Sequence, residues 1–475
     1  MSAFFRSRIW MVPVILFIIN LGLKIIYIAS NPVALDEPFT IFYAQPAFLP
    51  MLKIHLADNT PPLFDVLLFG WIRFFGISAF SVRFLPMVFS SATVIYVYLL
   101  GERIAGKISG LASALIFSFS TFQIYFAHEA RAYSLFSLLS AASLYYYFSL
   151  DEKSTRRPFI LFIVSNVLLA FTHYFGFIVV GAELAFSFWF IPRHPFAFRK
   201  IWLSFITWLA LISPLIVFVL RRYHTVRKTG FWVSTPPLDA WYENIRKFSN
   251  QPVIAIGFLL LIGIGLVQMF RKSMFRKNLS LQILPLWFFG IYTALFVFSF
   301  HLPVFLDRYL IFLSVPFYLL IGVSIPAVTS QYRFQVLLLI VIGIAMIATT
   351  NLRPGNGRDP IKLSAFVMNK KDSSAAVLIS PPWLDKGLIY YCRPDIFRRE
   401  ASFDKELESD RWYRIFSSQD AVGRLTNDIH RVLYVLNGAD EINHLGDFLE
   451  QKPFGFKRLE TRLFGNADGV VVYER

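Results

Sequence analysis

The sequence predicts an α-helical polytopic membrane protein with a small C-terminal α/β domain. Three observations lead there. Of 475 residues, 56% are hydrophobic and 16% charged, with a mean hydropathy of +0.56. Soluble domains carry about 45–50% apolar and about 25% charged residues. Apolar windows recur along the first 350 residues, each near the length that crosses a bilayer. From about residue 351 the composition turns to that of ordinary soluble sequence.

Eleven windows lie near 9–29, 82–100, 108–127, 133–150, 159–176, 177–192, 201–220, 252–270, 281–300, 309–326 and 334–350. The first is too long for a signal-peptide core and lacks a small-x-small cleavage site, so a retained helix is expected. Pro214 and Pro316 fall inside apolar runs and predict kinks. Segment 62–77 is apolar but short and carries Asp65 and Arg73, which suits a helix lying in the interface plane. Residues 351–360, rich in Gly, Pro and Asn, read as a linker. Beyond it, strand-like runs at 376–380, 431–436 and 469–473 alternate with helical patterns near 361–370, 418–429 and 441–451. The expected organisation is a membrane domain over 1–350, with an outer loop at 30–81, and a soluble α/β domain over 351–475.

The net charge is +16. Much of it falls in short loops, where Lys and Arg fix orientation. With Arg6 and Arg8 in the cytoplasm, so are Arg103, Lys107, Lys153, Arg156, Arg157, Arg193, Arg199, Lys200, Arg271, Lys272, Arg276, Lys277 and Arg333. The segment 221–250 is the exception: it is basic yet falls on the opposite side. An odd number of spans puts the C-terminal domain outside, in the periplasm of a protein integral to the inner membrane. Such charge suits anionic head groups or a phosphate-bearing ligand and calls for no nucleic acid. The single cysteine, Cys392, excludes an intrachain disulfide. The C-terminal domain has neither Asp-x-Asp nor Gly-x-Gly-x-x-Gly, so nothing in it suggests a nucleotide sugar or dinucleotide.

The acidic pair Asp36-Glu37 follows the first span directly. Carboxylates at a membrane face suit a transferase that deprotonates an acceptor beside a lipid-borne donor. The competing role is helix capping, since Pro38 fits a first helical turn. Adjacent side chains point apart, so one can reach an acceptor while the other caps the helix or holds a metal. His55 and Asp58 precede the stiff Pro61-Pro62 and are candidates, with Glu37, for a divalent cation, although no spacing here marks a metal site. His128-Glu129-Ala130-Arg131-Ala132-Tyr133 joins the third and fourth spans. There Arg131 either pairs with Glu129 at the interface or grips phosphate with its planar fork. His173 sits at another outer turn, either as an interfacial group or as part of a site. Arg308, between Asp307 and Tyr309, is a second phosphate candidate unless it only pairs with Asp307.

These pieces, in this order, resemble the GT-C superfamily of membrane glycosyltransferases. They are similar to its branch of protein O-mannosyltransferases, lipid A aminoarabinose transferases and lipopolysaccharide-core galacturonosyltransferases. The matching stretches are Leu35-Asp36-Glu37, Asp58-Asn59-Thr60-Pro61-Pro62-Leu63-Phe64, Arg83-Phe84-Leu85-Pro86, Ala127 to Tyr133, Thr172-His173-Tyr174-Phe175-Gly176 and Asp307-Arg308-Tyr309-Leu310. The resemblance spans roughly residues 1–350. It implies a polyprenyl-phosphate sugar donor, inversion at the anomeric carbon and Asp36 as the base. It also keeps a divalent metal near Glu37 and His55 in play. Thr60 departs from the family, which often has histidine before the double proline. A glycan, glycolipid or protein acceptor fits this resemblance. The alternative is a transporter or flippase for a lipid-linked glycan, which should show charges near the bilayer middle. A non-catalytic scaffold working through the C-terminal domain is the third reading.

Overall fold

The computed structural model describes residues 3–57, 60–150, 156–188, 195–229, 233–437, 445–451, 454–466 and 468–475. It comprises two compact units. One holds residues 1–28, 52–67 and 83–354; the other holds 29–51, 68–82 and 355–475. Two stretches of the expected outer loop therefore belong to the same unit as the C-terminal domain.

The first part of the chain forms α1 (Ala3–Ile25), α2 (Glu37–Tyr43), α3 (Phe48–Ala57), α4 (Leu63–Phe75) and α5 (Ala79–Ala105). Next come α6 (Lys107–Ser118), α7 (Thr121–Ala127), α8 (Tyr133–Tyr147), α9 (Arg156–Thr172), α10 (Gly176–Ser187) and α11 (Pro195–Thr229). The membrane unit closes with α12 (Ala240–Phe248), α13 (Pro252–Arg271), α14 (Met274–Lys277), α15 (Leu279–Pro285), α16 (Ile291–Phe298), α17 (Ile311–Val328) and α18 (Tyr332–Thr349). Each apolar window coincides with helix among the described residues, and 189–192 of one window lie outside them. Among the described residues, six helices have the length and apolarity of a full crossing, or seven if the α6–α7 pair, bent by 59°, is one span. A π turn at Leu286–Gly290 joins α15 to α16. Helix α11 runs on to Thr229, through the start of the segment read as a loop from 221.

Burial separates the roles of these helices. The window of α17 is 89% buried and that of α18 only 17%. A helix apolar all round suits either a core or a lipid-facing position, and contacts decide which. Helix α17 packs on α6, α8 and α13. Small residues allow the approach: a Cβ on Gly322 would stand 2.6 Å from the Ser109 carbonyl oxygen, and one on Gly265 would stand 2.6 Å from Ser324 Cβ. Polar bonds add to this packing, with Ser113 Oγ donating to the Tyr318 carbonyl at 3.1 Å and Gln123 Nε2 to Ser314 Oγ at 2.7 Å.

The second unit adds α19 (Pro360–Lys370), β1 (Ala375–Ser380), α20 (Asp385–Cys392), α21 (Pro394–Phe397), α22 (Phe403–Ser409) and β2 (Trp412–Arg414). They are followed by α23 (Ser418–Val422), β3 (Arg431–Asn437), α24 (Leu445–Glu450), β4 (Lys457–Phe464) and β5 (Asp468–Glu474). The sheet order is β2-β1-β3-β5-β4. Strand β1 runs parallel to β2 and β3, while β5 is antiparallel to β3 and β4. Strands β1, β3 and β5 are the three legible in the sequence, because each is a nearly continuous buried apolar run. The helix expected over 418–429 stops at Val422, and part of the helix expected near 441–451 lies outside the described residues.

Candidate active site

The acidic loop is built into the second unit. Leu35 has a positive φ of 56°, and the chain turns there before α2. Pro38 occupies the first turn of α2, as its fixed φ favours. Asp36 is the N-cap residue, but its side chain makes no capping hydrogen bond. Capping therefore does not account for its carboxylate. Asp36 is half-buried, whereas Glu37 is only 2% exposed and its Oε2 accepts from the Ala34 N–H at 3.4 Å. The two carboxylates differ in exposure: Asp36 is half-buried and Glu37 is enclosed.

Long-range contacts within this unit anchor the loop. The Val33 N–H donates to Tyr391 Oη at 2.6 Å, Asn356 Nδ2 to the Pro32 carbonyl at 3.0 Å, and Gln45 Nε2 to the Phe397 carbonyl at 3.1 Å. Phe42 of α2 packs edge-on against Phe397 and Phe403, with centroids 5.3 and 4.6 Å away. Lys386 Nζ lies 4.2 Å from the Phe42 ring centre and 3.7 Å from that of Phe403, and pairs with Asp385 at 3.0 Å. Burial pushes Lys386 down and Asp385 up from their ordinary values, against the pull of their pairing. Nothing local in the sequence marked this pair, because its aromatic partners come from α2 and α22.

The basic and aromatic candidates belong to the membrane unit, and three separate turns meet there. The His173 ring stacks on Phe136 at 4.7 Å and lies 5.3 Å from Tyr309 and 6.3 Å from Tyr133. The Arg131 guanidinium stands 5.9 Å from the Tyr133 ring centre. Burial, then the nearby Arg131 charge, pushes His173 down to about 3. Its Nδ1 accepts from the Phe175 N–H at 3.1 Å. A neutral imidazole follows, fixing the turn between α9 and α10 rather than supplying positive charge.

His128 behaves similarly. Its Nε2 donates to the Lys24 carbonyl at 2.6 Å, and burial is the largest cause of a value pushed down to about 4. It pins the α7–α8 turn to α1 as a neutral ring. Glu129 is buried in that turn, where the Arg131 N–H donates to its carbonyl at 2.7 Å. Arg308 follows Asp307, but the Asp307 carboxylate pairs with Lys247 at 2.8 Å and accepts from the Arg308 backbone N–H at 2.7 Å. The two arginines offered as phosphate ligands, Arg131 and Arg308, are both half-buried.

The His55 side chain and Asp58 lie outside the described residues. Among the described residues, no three His, Cys, Asp or Glu side chains converge on a cation position.

The sequence matches the family described as dolichyl-phosphate-mannose-protein mannosyltransferase over residues 59–218. The fold resembles the crystal structure of ArnT from Cupriavidus metallidurans in the apo state, with a TM-score of 0.62 and 12% identity over 97% of both chains. The fold is therefore ArnT-like. The same ArnT bound to undecaprenyl phosphate gives a TM-score of 0.62 at 13% identity, again over 97% of each chain. The oligosaccharyltransferase of Archaeoglobus fulgidus, in complex with Zn and sulfate, resembles the fold at a TM-score of 0.52 and 12% identity. That match covers 89% of this chain and 68% of the other. No curated protein matches the chain by sequence.

Proposed function

We propose that this protein is a glycosyltransferase moving a sugar from a polyprenyl-phosphate donor to a hydroxyl acceptor at the outer face of the membrane, with inversion. The likeness to ArnT bound to undecaprenyl phosphate, over nearly the whole of both chains, carries this reading. Asp36 takes the proton of the acceptor hydroxyl. The freed oxygen attacks the anomeric carbon from the face opposite the phosphate. The anomeric C–O bond breaks, and its electron pair leaves on the polyprenyl phosphate. Arg131 and Arg308 balance the charge that grows there, as guanidinium groups do on phosphoryl oxygens. The partial exposure of Asp36 supports its role as base, and the enclosure of Glu37 argues for a structural role.

In this reading the N-terminus is cytoplasmic and the C-terminal domain periplasmic, with a glycan, glycolipid or protein as acceptor. The test is transfer of labelled sugar from a panel of polyprenyl-phosphate donors in membranes, beside movement of the same lipids across liposomes. A new glycosidic bond is expected. Lipid movement without any new bond would favour a flippase and overturn the reading.

A further inference from the structure

Beside the acidic loop, wholly within the second unit, lies a shallow open cleft of about 50 Å³, so a ligand there rests on its surface rather than inside a cavity. Ala34 and Leu35, the two residues before Asp36, form part of its wall. Trp383 and Leu384 form another part, and Arg358 and Asp468 supply the polar groups. Trp383 is 45% exposed although it is a large apolar ring. Arg358 Nη1 donates to Asp468 Oδ1 at 2.5 Å, and Asn437 Nδ2 donates to the same oxygen at 3.3 Å. Among the described residues, no bond is made by Asp468 Oδ2 or by Arg358 Nε and Nη2. The site thus offers an acceptor and donors side by side, next to an aromatic face.

We propose that this cleft binds an uncharged sugar ring of the acceptor. The inference rests on the glycosyltransferase reading for the word acceptor, but not for the binding itself. Three features select a sugar. A hexose has an apolar C–H face that lies on an aromatic ring, and Trp383 provides one. Its neighbouring hydroxyls each donate and accept, which matches the open atoms of an Arg–Asp pair. The pair is internally neutralised, so it favours hydroxyls over a phosphate or carboxylate, which would have to displace Asp468 from Arg358. The direct chain link from Leu35 to Asp36 places a sugar held here next to the proposed base.

The experiment measures binding of the purified full chain to an array of neutral hexose and N-acetylhexosamine oligosaccharides, with acidic glycans and phospholipid vesicles alongside. Wild type, Trp383→Ala and Trp383→Phe are compared. Trp383 is half-exposed, so neither variant endangers the fold. Neutral glycan binding by wild type, at least tenfold weaker in Trp383→Ala and largely restored in Trp383→Phe, is the expected result. Equal binding by wild type and Trp383→Ala, binding only to acidic glycans or vesicles, or no glycan binding at all would overturn the proposal. The transfer reaction is scored separately. If neutral glycans bind through Trp383 but no sugar is ever transferred, the cleft stands and the glycosyltransferase reading falls. If transfer proceeds and Trp383→Ala leaves the acceptor KM unchanged, the cleft falls and the reading stands.

Discussion

Replacing Lys386 by Met removes the cation that ties α2 to α20. The side chains of Lys386 and Asp385 are 5% and 3% exposed, so the ammonium is not replaced by solvent. Breaking a buried pair by deleting one partner costs about 3–5 kcal/mol, because the other charge stays buried. Arg414 Nη1 stands 3.7 Å from Asp385 Oδ2 and keeps part of the compensation, which favours the lower end. The two aromatic faces at 3.7 and 4.2 Å lose their cation as well. A loss of about 3 kcal/mol lowers the Tm of a unit this size by roughly 6–12 °C. Thermal unfolding of the purified protein measures it. Adding Asp385→Asn to Lys386→Met removes the orphaned carboxylate and should recover more than half of the loss. A single variant within about 1 °C of wild type, or a double variant no more stable than the single one, would refute the reasoning.

Two further outcomes follow from the membrane unit. His128 and His173 are held at about 4 and about 3, below the ordinary 6.5. Their folded values are depressed, so the neutral ring is stabilised above pH 6.5, and that stability is lost as the pH falls towards 4. Each histidine then costs about 1.4 kcal/mol per pH unit below 6.5. His128→Gln should flatten the fall of Tm between pH 6.5 and 4.5, and an unchanged slope would count against a buried neutral imidazole. Arg131→Ala and Arg308→Ala should each weaken undecaprenyl-phosphate binding tenfold or more, with Lys only partly replacing Arg. Binding at wild-type strength in both would remove them from the phosphate site.

The helical half of the fold was legible because hydropathy is a local property: each of the eleven windows coincides with helix among the described residues. Their lengths were less so. The bend at residues 119 and 120 breaks one window into α6 and α7, and α11 continues to Thr229 although its end is polar. Strand β4, KRLETRLF, escaped notice because it is an exposed edge strand, and its ladder partner β5 rather than its own pattern makes it a strand. Strand β2 has only three residues. The site was legible as separate turns. The sequence named His173, Tyr133 and Tyr309, and the contacts of both tyrosine rings with His173, itself stacked on Phe136, bring these turns together. The anchoring of the acidic loop was out of reach, since Val33 and Tyr391 are 358 residues apart. The same distance in sequence hid the cleft, where Leu35, Trp383 and Asp468 meet only in the folded unit. The difference between Asp36 and Glu37 also needed coordinates, because the sequence offered both carboxylates for either task.

The role of Asp36 as the base depends on that difference. Steady-state transfer with Asp36→Asn and Glu37→Gln, each with donor binding measured in parallel, tests it directly. Loss of a general base lowers kcat by roughly 10²–10⁴-fold. Asp36→Asn is expected to show that loss with donor affinity intact, while Glu37→Gln keeps kcat within about tenfold of wild type and lowers the Tm. Full activity in Asp36→Asn, or the large loss of kcat appearing in Glu37→Gln instead, would contradict the assignment of Asp36 as the base.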